Sequence, residues 1–526
     1  MVLLKFISIS HIFFSVHRPP QLRTDHIEIM DLKLVGIFLT RFDVKRGNVV
    51  EWEKNCSHFE GLEFKSMPAG IHQFEEDVVT FRVFQNGKSL PYYGVSYFKQ
   101  NGFELQHDSH GQISREDLLM YSLGVIVDTQ VSERANTSIF DCGLVAEQLQ
   151  MLLIKWLEGG ELDKFEIFTD FYDKWAGQSK EPTDSEDEVR GRRSLIDYCP
   201  FWLKQLGPLI FPIWKSILLG EKILILNLTG STSEICSSLC FFLSLLCKAM
   251  DIKLSGPGGS EFPGTPIRQI LYSVCVSDID ALNDESVSAN GFIAYTSDDI
   301  LTFHKDLYNK VLKLELDDIF TGKGGEPGVR LLDNDGEEIR ATPHELEMYE
   351  AFLKTKLDKP VPESETHRLI DLTEPVTWLQ TLIDGVYFWT TAGTVKPAFH
   401  RVAEEDGEQK QEQEQEQEQN KDNDAYIGTI LNGITGARVD KEIAANTLLY
   451  FQRGTRKLYN VLNTLITVDL SDDEKPVVIS PLHFPDMGLD CFSEQDRNFI
   501  KKLSAMWFNK EVEIHTIDCL KLICYR

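Results

Sequence analysis

The stretch LNLTGSTSE, residues 226–234, is the part of the chain closest in form to a phosphate-binding loop. A glycine turn at Gly230 joins an apolar run to the start of a predicted helix, whose free backbone N–H groups attract anions. The stretch lacks the lysine that reaches the phosphates in nucleotide-binding loops. We therefore interpret it as a structural connection, and nucleotide hydrolysis as the weaker alternative.

Cys236, Cys240 and Cys247 are spaced to share one helix face, where three thiolates could ligate zinc. The chain has ten cysteines, and none of them forms a Cys-x-x-Cys pair. No histidine cluster lies near these three in the sequence. We expect buried free thiols in a reducing compartment, and we predict neither a metal site nor a cofactor.

Motifs for covalent or acid–base catalysis are missing from the sequence. It contains no Gly-x-Ser-x-Gly, no His-Glu-x-x-His and no Gly-x-x-x-x-Gly-Lys-Ser/Thr. With 82 acidic residues, any choice of two as general acid and base is arbitrary. The sequence thus names no catalytic, cofactor-binding or metal-binding residue and leaves the partner-binding residues unknown. A hydrolase with distant catalytic partners is a remaining hypothesis.

Composition limits the classes of partner. The 526 residues are 42% hydrophobic, enough for a packed protein of several domains, and the formal net charge is −29. Nucleic-acid binding through a broad basic surface is excluded by this charge, because phosphate neutralisation needs clustered Lys and Arg. Attraction to anionic lipid would need a local basic patch.

Two segments of the sequence have some features of targeting or membrane signals: the first residues and the most apolar region. Residues 1–29 have a broken apolar run, and we expect a gene-model extension or a disordered leader before a native start at Met30. A secretory signal is the alternative. The apolar region 222–250 is interrupted by a polar turn, and each half is shorter than the roughly 20 residues that span a bilayer.

Residues 30–160 have the pattern of a sheet followed by a helix. Strands are predicted at LKLVGIFLTRFD (32–43), DVVTFRVF (77–84), YYGVSYFK (92–99) and LGVIV (123–127). Asn86-Gly87 and Asn101-Gly102 are typical of hairpin turns. A helix is predicted over 141–160, ending at Gly159-Gly160.

Residues 161–194 are predicted to be an acidic linker. The segment GQSKEPTDSEDEVRGRRS (177–194) is polar and has almost nothing apolar to bury. Contact between its arginines and phospholipid head groups is the alternative to a solvated linker.

Residues 195–317 alternate strands with helices, which indicates an α/β layer architecture. Strands are predicted at EKILILNL (221–228), IRQILYSVCV (267–276) and GFIAYT (291–296). Ser231 and Glu234 have the spacing of a capping box, which predicts a helix from there to residue 250. A second helix is predicted over SDDILTFHKDLYNKVLKLEL (297–316), with inward positions at Ile300, His304, Leu307, Tyr308, Val311 and Leu312.

Residues 318–402 are predicted to begin a helical region. Pro343 opens a helix in ATPHELEMYEAFLKTKL (341–357). The segment 377–393 places Trp378 and Trp389 on one stripe, which we expect to be buried. Membrane contact is the alternative, disfavoured because the polar side has no Lys or Arg.

The last part of the chain divides into a tract and a helical remainder. Residues 403–424, AEEDGEQKQEQEQEQEQNKDND, are predicted to be a disordered Glu/Gln tract, since like charges repel and nothing apolar is present. Residues 425–526 are predicted to form further helices, with helical periodicity at 444–466 and 493–514. Ser493 lies three residues before Asp496, a spacing typical of helix caps.

Two consecutive phrases, RFDVKRGNVVEW (41–52) and FEGLEFKSMPAGIH (59–72), resemble the N-terminal module of DENN-domain proteins, most closely the LCHN-like group and its fungal relatives. The matching residues are Phe42, Asp43, Gly47, Asn48, Val50, Glu51, Trp52, Glu60, Gly61, Glu63, Phe64, Lys65, Ser66, Met67 and Gly70.

The similarity continues along the chain. Residues 220–246 and 290–312 are similar to the family's central strand, helix and Gly-x-Ile-Ala phrase, and residues 378–393 and 487–508 to C-terminal segments of the fungal subgroup. The resemblance covers most of residues 31–526 and is weakest in the helical part.

The resemblance implies an α/β plus α fold in three modules: a longin-like α/β module, a central α/β module and a C-terminal helical module. It also implies a Rab-type small GTPase as partner and release of GDP by remodelling of the switch regions. An adaptor that binds a GTPase or a trafficking complex without exchange is the alternative. The resemblance further implies a cytoplasmic protein, peripheral on endomembranes through its partner.

The opening phrases carry three structural expectations. Gly47-Asn48 should close the hairpin between the first two strands, and Trp52 should pack on the helix-covered face of the sheet. Glu63 to Gly70 should fix a loop over the sheet, with direct GTPase contact as the alternative.

Overall fold

The computed structural model describes residues 33–68, 74–84, 91–102, 118–128, 143–160, 162–176, 194–228, 231–248, 269–283, 291–315, 328–359, 361–375, 438–468 and 476–514. The predicted leader (1–29), the aromatic stripe (377–393) and the Glu/Gln tract (403–424) lie outside these residues.

A continuous sheet of eleven strands organises the described residues, in the order β11-β10-β9-β6-β8-β7-β3-β4-β5-β1-β2. Its strands are β1 Lys33–Asp43, β2 Gly47–Lys54, β3 Glu76–Phe84, β4 Pro91–Gln100, β5 Met120–Asp128, β6 Ile223–Asn227, β7 Gln269–Ser273, β8 Phe292–Thr296, β9 Lys310–Glu315, β10 Gly328–Asp333 and β11 Glu338–Ile339. Two further strands, β12 Val477–Ile479 and β13 Val512–Ile514, pair separately.

The helices cover both faces of the sheet. They are α1 Leu62–Lys65, α2 Gly143–Glu158, α3 Glu166–Ala176, α4 Cys199–Leu206, α5 Ile210–Leu218, α6 Ser233–Lys248, α7 Ile279–Asn283, α8 Pro343–Lys356, α9 Glu363–Asp371, α10 Arg438–Val468, α11 His483–Asp486 and α12 Glu494–Phe508. The observed mixed α/β architecture agrees with the coarse fold class expected from the sequence.

The predicted first hairpin is confirmed. β1 and β2 pair antiparallel with Asp43 opposite Gly47, and Gly47 has φ +75°, a conformation that favours glycine. The turn itself is formed by residues 44–46 and β2 begins at Gly47, so the prediction that Gly47-Asn48 makes the turn is wrong. The Asp43 carboxylate accepts hydrogen bonds from the backbone N–H groups of Lys45 and Arg46, both at 2.9 Å, and these hydrogen bonds lower its pKa.

The predicted position of Trp52 is also confirmed. Its ring lies 5.6 Å from that of Phe165 and 5.7 Å from that of Phe168, between β2 and helix α3. Helix α3 lies in the range predicted as a linker, and it is packed on the sheet. Tyr172 fixes it by donating its hydroxyl to the Val35 carbonyl at 2.9 Å.

The two faces of the central strands are covered differently. Alternating residues of β6 and β8, including Ile225 and Ile293, pack with helix α6 in the main core. The opposite residues, including Leu224 and Phe292, pack with α7 and with short 3₁₀ turns that follow β8. The chain thus leaves β6 toward one face of the sheet and β8 toward the other.

The predicted helix over 297–316 is wrong. The structure has 3₁₀ turns at Asp299–Phe303 and Lys305–Leu307, followed by strand β9, and Ile300 is exposed instead of inward. Leu312 and Leu314 pack in the main core while Val311 packs on the opposite face, and β9 completes the parallel pairing of β6. Tertiary pairing therefore overrides the helical spacing.

The sheet extends beyond residue 317, where the sequence predicts helices. Strands β10 and β11 add antiparallel to β9, and helix α8 follows with the predicted Pro343 in its first turn. Thr342 and Glu345 form a capping box there. At α12 the predicted cap is confirmed, since the Ser493 hydroxyl accepts from the Asp496 N–H at 3.3 Å.

Candidate functional site: the seam and the carboxyl edge

The N-terminal strands (β1–β5) and the central strands (β6–β11) meet at a narrow seam. β3 and β7 pair in parallel through one register, Phe81 opposite Ser273. Side chains add to this pairing: Arg82 donates to the Gln269 side chain at 2.6 Å, and the Tyr93 hydroxyl donates to the Ile270 carbonyl at 3.3 Å. Polar side-chain contacts thus supplement a short backbone ladder.

The opening phrase of the sequence folds over this sheet, as expected for a structural role. The Ser66 carbonyl accepts hydrogen bonds from the hydroxyls of Ser96 and Ser122, both at 2.7 Å. The Ser66 hydroxyl donates to that of Thr40 at 2.9 Å. All four residues are buried, so this hydroxyl cluster ties the segment to β1, β4 and β5.

Lys65, at the end of α1, links this segment to the central strands. Its ammonium lies 2.5 Å from the Asp278 carboxylate and donates to the Arg82 carbonyl at 3.1 Å. The other Asp278 oxygen accepts from the Cys275 N–H at 3.0 Å. The two paired side chains are only 13% and 11% exposed, so the ion pair is largely desolvated.

A cavity of about 20 Å³ lies beside this ion pair. Lys65 and Arg82 line it from the N-terminal strands, and Leu271, Val274 and Asp278 line it from the central strands. The volume fits about one water molecule, too little for a small-molecule substrate.

Backbone strain marks the same seam. Tyr272 is buried and has φ +56°, at a bulge where β7 shifts its register with β8. Such a conformation costs about 1–3 kcal/mol for a bulky residue and persists only where the surroundings enforce it. Here the ring packs edge-to-face on Tyr93 of β4, with 6.0 Å between centroids.

Exposed apolar side chains cluster in sequence just after the carboxyl ends of the parallel strands. We call the set the carboxyl-edge surface, and its residues are Phe64, Leu228, Val276, Ile300 and Phe303. Phe303 is 78% exposed and Phe64 is 57% exposed. Phe64 belongs to this set because its neighbour Lys65 reaches Asp278, two residues beyond Val276.

The topology makes this edge a natural place for binding. In open α/β sheets, ligands bind outside the carboxyl ends of the strands, where neighbouring connections leave toward opposite faces. β6 and β8 are such neighbours, pairing in parallel while their connections run to opposite faces. The exposed apolar groups at this edge make it the candidate surface for contact with another protein.

The phosphate-loop alternative does not fit the geometry. The predicted Ser231–Glu234 capping box is wrong, because α6 begins at Ser233 and the Thr232 hydroxyl accepts from the Ile235 N–H in its first turn. The backbone N–H groups of Ser233 and Glu234 donate to the carboxylate of Asp77, at 2.8 and 3.3 Å. The Asp77 carboxyl group thus occupies the position where a phosphate would bind.

The zinc alternative finds no support in the described residues. No group of three or more His, Cys, Asp or Glu side chains is placed there to hold a metal ion. Cys236 and Cys240 are buried in α6, and burial raises the pKa of both thiols well above the usual range, which disfavours the thiolate that zinc needs.

A second buried charge cluster lies among the helices. The Lys215 ammonium on α5 contacts Glu345 of α8 at 2.6 Å and Asp496 of α12. Each carboxylate also accepts a backbone N–H, from Thr342 at 2.7 Å and from Asp490 at 2.8 Å. Its residues are at most 9% exposed, so we assign this triad a structural role.

Sequence reasoning missed the site residues for a physical reason. Lys65 and Asp278 are 213 positions apart, and neither belongs to a motif that pairs them. The local signal is weak, because Leu228 and Val276 are simply the last residues of two predicted strands, and only Ile300 and Phe303 follow a predicted strand. Among the described residues, no helix combines the length and apolar character that crossing a bilayer requires.

Two models of known protein families match parts of this chain. Residues 37–321 match the family model of DENN domain-containing protein 11, a range that includes both sides of the seam. Residues 411–522 match a second family model, a domain of unknown function (DUF4484).

Two relatives match over most of their length. The chain is 34% identical over 516 residues to the uncharacterized protein ANR2 of Saccharomyces cerevisiae, covering 93% of the chain and 94% of the relative. It is 23% identical over 386 residues to DENN domain-containing protein 11 of Rattus norvegicus, covering 70% of the chain and 77% of the relative.

Proposed function

The chain belongs to the family of DENN domain-containing protein 11, and on this premise we propose that it regulates a Rab-family small GTPase in membrane traffic by promoting GDP release. The division into longin-like, central and helical modules, with an acidic linker and a Glu/Gln tract, is part of this proposal. An adaptor that binds a GTPase or a trafficking complex without exchange is the second candidate.

Nucleotide exchange places a modest chemical demand on the protein. An exchange factor binds the nucleotide-free GTPase more tightly than the GDP-bound form, and this difference in affinity accelerates release. The step breaks no covalent bond, so it needs neither a nucleophile nor a general base in this chain.

The carboxyl-edge surface is the observation that carries the proposal. Phe64 on α1 and Phe303 in the turns after β8 expose aromatic rings, and buried aromatic anchors dominate the free energy of protein–protein binding. The Lys65–Asp278 ion pair and the Ser66 hydroxyl cluster fix the position of α1, the helix that carries Phe64. A GTPase docked there would contact N-terminal and central strands together.

Fluorescent GDP release from a panel of Rab GTPases tests this function. The full chain is used at substoichiometric concentration, since a catalyst of exchange turns over and an adaptor does not. Faster release from one GTPase supports exchange. Stable binding without faster release supports the adaptor, and neither result with any member contradicts both.

Matched variants then test the surface itself. Phe64→Ser and Phe303→Ser should each reduce the rate of release at least 10-fold, because each removes an exposed aromatic anchor of about 2 kcal/mol. Met151→Ser is the control, since Met151 is similarly exposed on α2, which covers the opposite face of the N-terminal strands. Equal rates for all three variants and the wild type would show that the GTPase docks elsewhere.

A further inference from the structure

A buried carboxylate crosses the seam and caps a helix on the other side. Asp77, the second residue of β3, is 4% exposed. One of its oxygens accepts from the Ser233 N–H at 2.8 Å, and the other accepts from the Glu234 N–H at 3.3 Å and from the Val78 N–H at 2.8 Å. An N-terminal strand thus supplies the cap of a helix that packs on the central strands.

The first turn of α6 depends on this contact. Its third N–H, of Ile235, donates to the Thr232 hydroxyl at 3.4 Å, and the Cys236 N–H donates to the Thr232 carbonyl at 3.3 Å. Asp77 supplies the acceptors for the first two N–H groups. The carboxyl oxygens of Asp77 also lie at the positive end of the helix dipole.

The charges that face Asp77 are unfavourable to its ionised form. Glu234 and Cys236 face it from α6, whereas Glu76, its neighbour on β3, is exposed and accepts the Tyr97 hydroxyl instead. Tyr295 faces Asp77 from β8. Tyr198, in the 3₁₀ turn before α4, donates its hydroxyl to the Glu234 carboxylate at 3.2 Å. None of these groups is a cation, so the buried carboxylate is stabilised by hydrogen bonds alone.

We propose that Asp77 is a proton-linked clasp across the seam, which holds the N-terminal strands on α6 most firmly when its carboxyl group is protonated and loosens as the pH rises through neutrality. The inference does not depend on the proposed function. It rests on the buried cap, on the single β3–β7 register and on the finding that none of the described groups facing Asp77 is positively charged.

The direction follows from proton linkage. Burial raises the pKa of Asp77 from 3.8 to about 7, more than its hydrogen bonds lower it. When the seam opens, the carboxyl group meets water and its pKa returns to the ordinary value. The closed seam therefore holds a proton that the open seam releases between about pH 4 and 7, so opening becomes up to tenfold more favourable per pH unit in that window.

Hydrogen exchange of the first turn of α6, corrected for the intrinsic pH dependence of amide exchange, tests the clasp. In the wild type the opening constant should rise by up to tenfold per unit from pH 5 to pH 7 and level off above it. Asp77→Asn, which is neutral at every pH and keeps one acceptor oxygen, should flatten this rise. Glu76→Gln, at an exposed neighbour on the same strand, should leave it unchanged.

Two outcomes would overturn the proposal. One is an opening constant of the wild-type turn that is independent of pH, a measurement that needs no variant and stands even if Asp77→Asn does not fold. The other is an equal pH dependence in wild type and Asp77→Asn, which would assign the proton to another group.

Discussion

Two buried ion clusters in the described part of the chain differ in what surrounds them. Lys65 and Asp278 form a pair across the seam, next to a small cavity and to the exposed side chains of Phe64 and Val276. Lys215, Glu345 and Asp496 form a triad among three helices, inside the main core. Both clusters join segments that are far apart in the sequence. Only the Lys65–Asp278 pair lies beside exposed apolar side chains.

This difference separates stability from binding. A sealed triad cannot change partners without unfolding its helices, because an unpaired buried charge costs several kcal/mol. A pair at a narrow seam can rearrange when a partner docks beside it. Substitutions in the two clusters should therefore differ in their cost to stability.

Removing the cation of the triad should have the largest effect. Lys215→Met leaves the Glu345 and Asp496 carboxylates buried without a positive charge, and should lower the free energy of unfolding by about 3–5 kcal/mol. Urea denaturation measures the loss. Lys204→Met is the control, since the Lys204 side chain is 58% exposed and its replacement should cost less than about 1 kcal/mol. Similar losses for both would show that the triad is not sealed.

Acid should weaken the triad region before it weakens the seam. His344 lies beside the triad, and burial lowers its pKa from 6.5 to about 4. The unfolded chain therefore binds a proton that the folded chain excludes, so stability is lost as the pH falls from about 6.5 to 4, by up to about 3 kcal/mol in total.

Urea midpoints at pH 7, 6 and 5 measure this effect. His344→Gln should reduce the acid dependence, and His304→Gln, at an exposed histidine, should not. The sign is opposite to that of Asp77, whose raised pKa makes its contribution decrease as the pH rises. An acid dependence that survives in His344→Gln would assign it to other groups.

The seam pair should contribute less to stability than the triad. Lys65→Met and Asp278→Asn should each lower the free energy of unfolding by about 1–2 kcal/mol, because each leaves a largely desolvated partner. A double-mutant cycle should give a coupling energy of about 1 kcal/mol. A coupling as large as the loss in Lys215→Met would remove the distinction between the two clusters.

A surface ion pair sets the lower limit of the series. Lys54 and Asp173 join β2 to α3 at 2.5 Å, but the Asp173 side chain is 60% exposed. Asp173→Ala should change the free energy of unfolding by less than about 1 kcal/mol, and added salt should abolish the difference. A larger, salt-independent loss would mean that exposure does not explain the ranking.

Local patterns in the sequence were sufficient for much of the fold. The strands at 33–43, 76–84, 91–100 and 120–128 were predicted within a few residues because alternation and turn residues define them. The caps at Thr342 and Ser493 were predictable for the same reason, since a cap uses residues within one helical turn. The family phrase at 41–72 identified the class of protein.

The failures share a cause. Strand β9 was predicted as a helix because Val311 and Leu312 fit both periods, and only the free edge of β6 favours the strand. The cap of α6 was assigned to Ser231, while Asp77, more than 150 positions away, supplies the carboxylate. Nothing local to either segment distinguishes these alternatives.

Four features follow from the amino-acid sequence alone: the apolar periodicity, the hairpins, the acidic balance and the family. Each of them depends on composition or on residues close together in the chain. The folded arrangement was needed to show that both sets of strands form one sheet, that Lys65 contacts Asp278, and that Phe64 and Phe303 are exposed. Burial and pairing are set by the three-dimensional neighbours of a residue, and those neighbours come from distant parts of the chain.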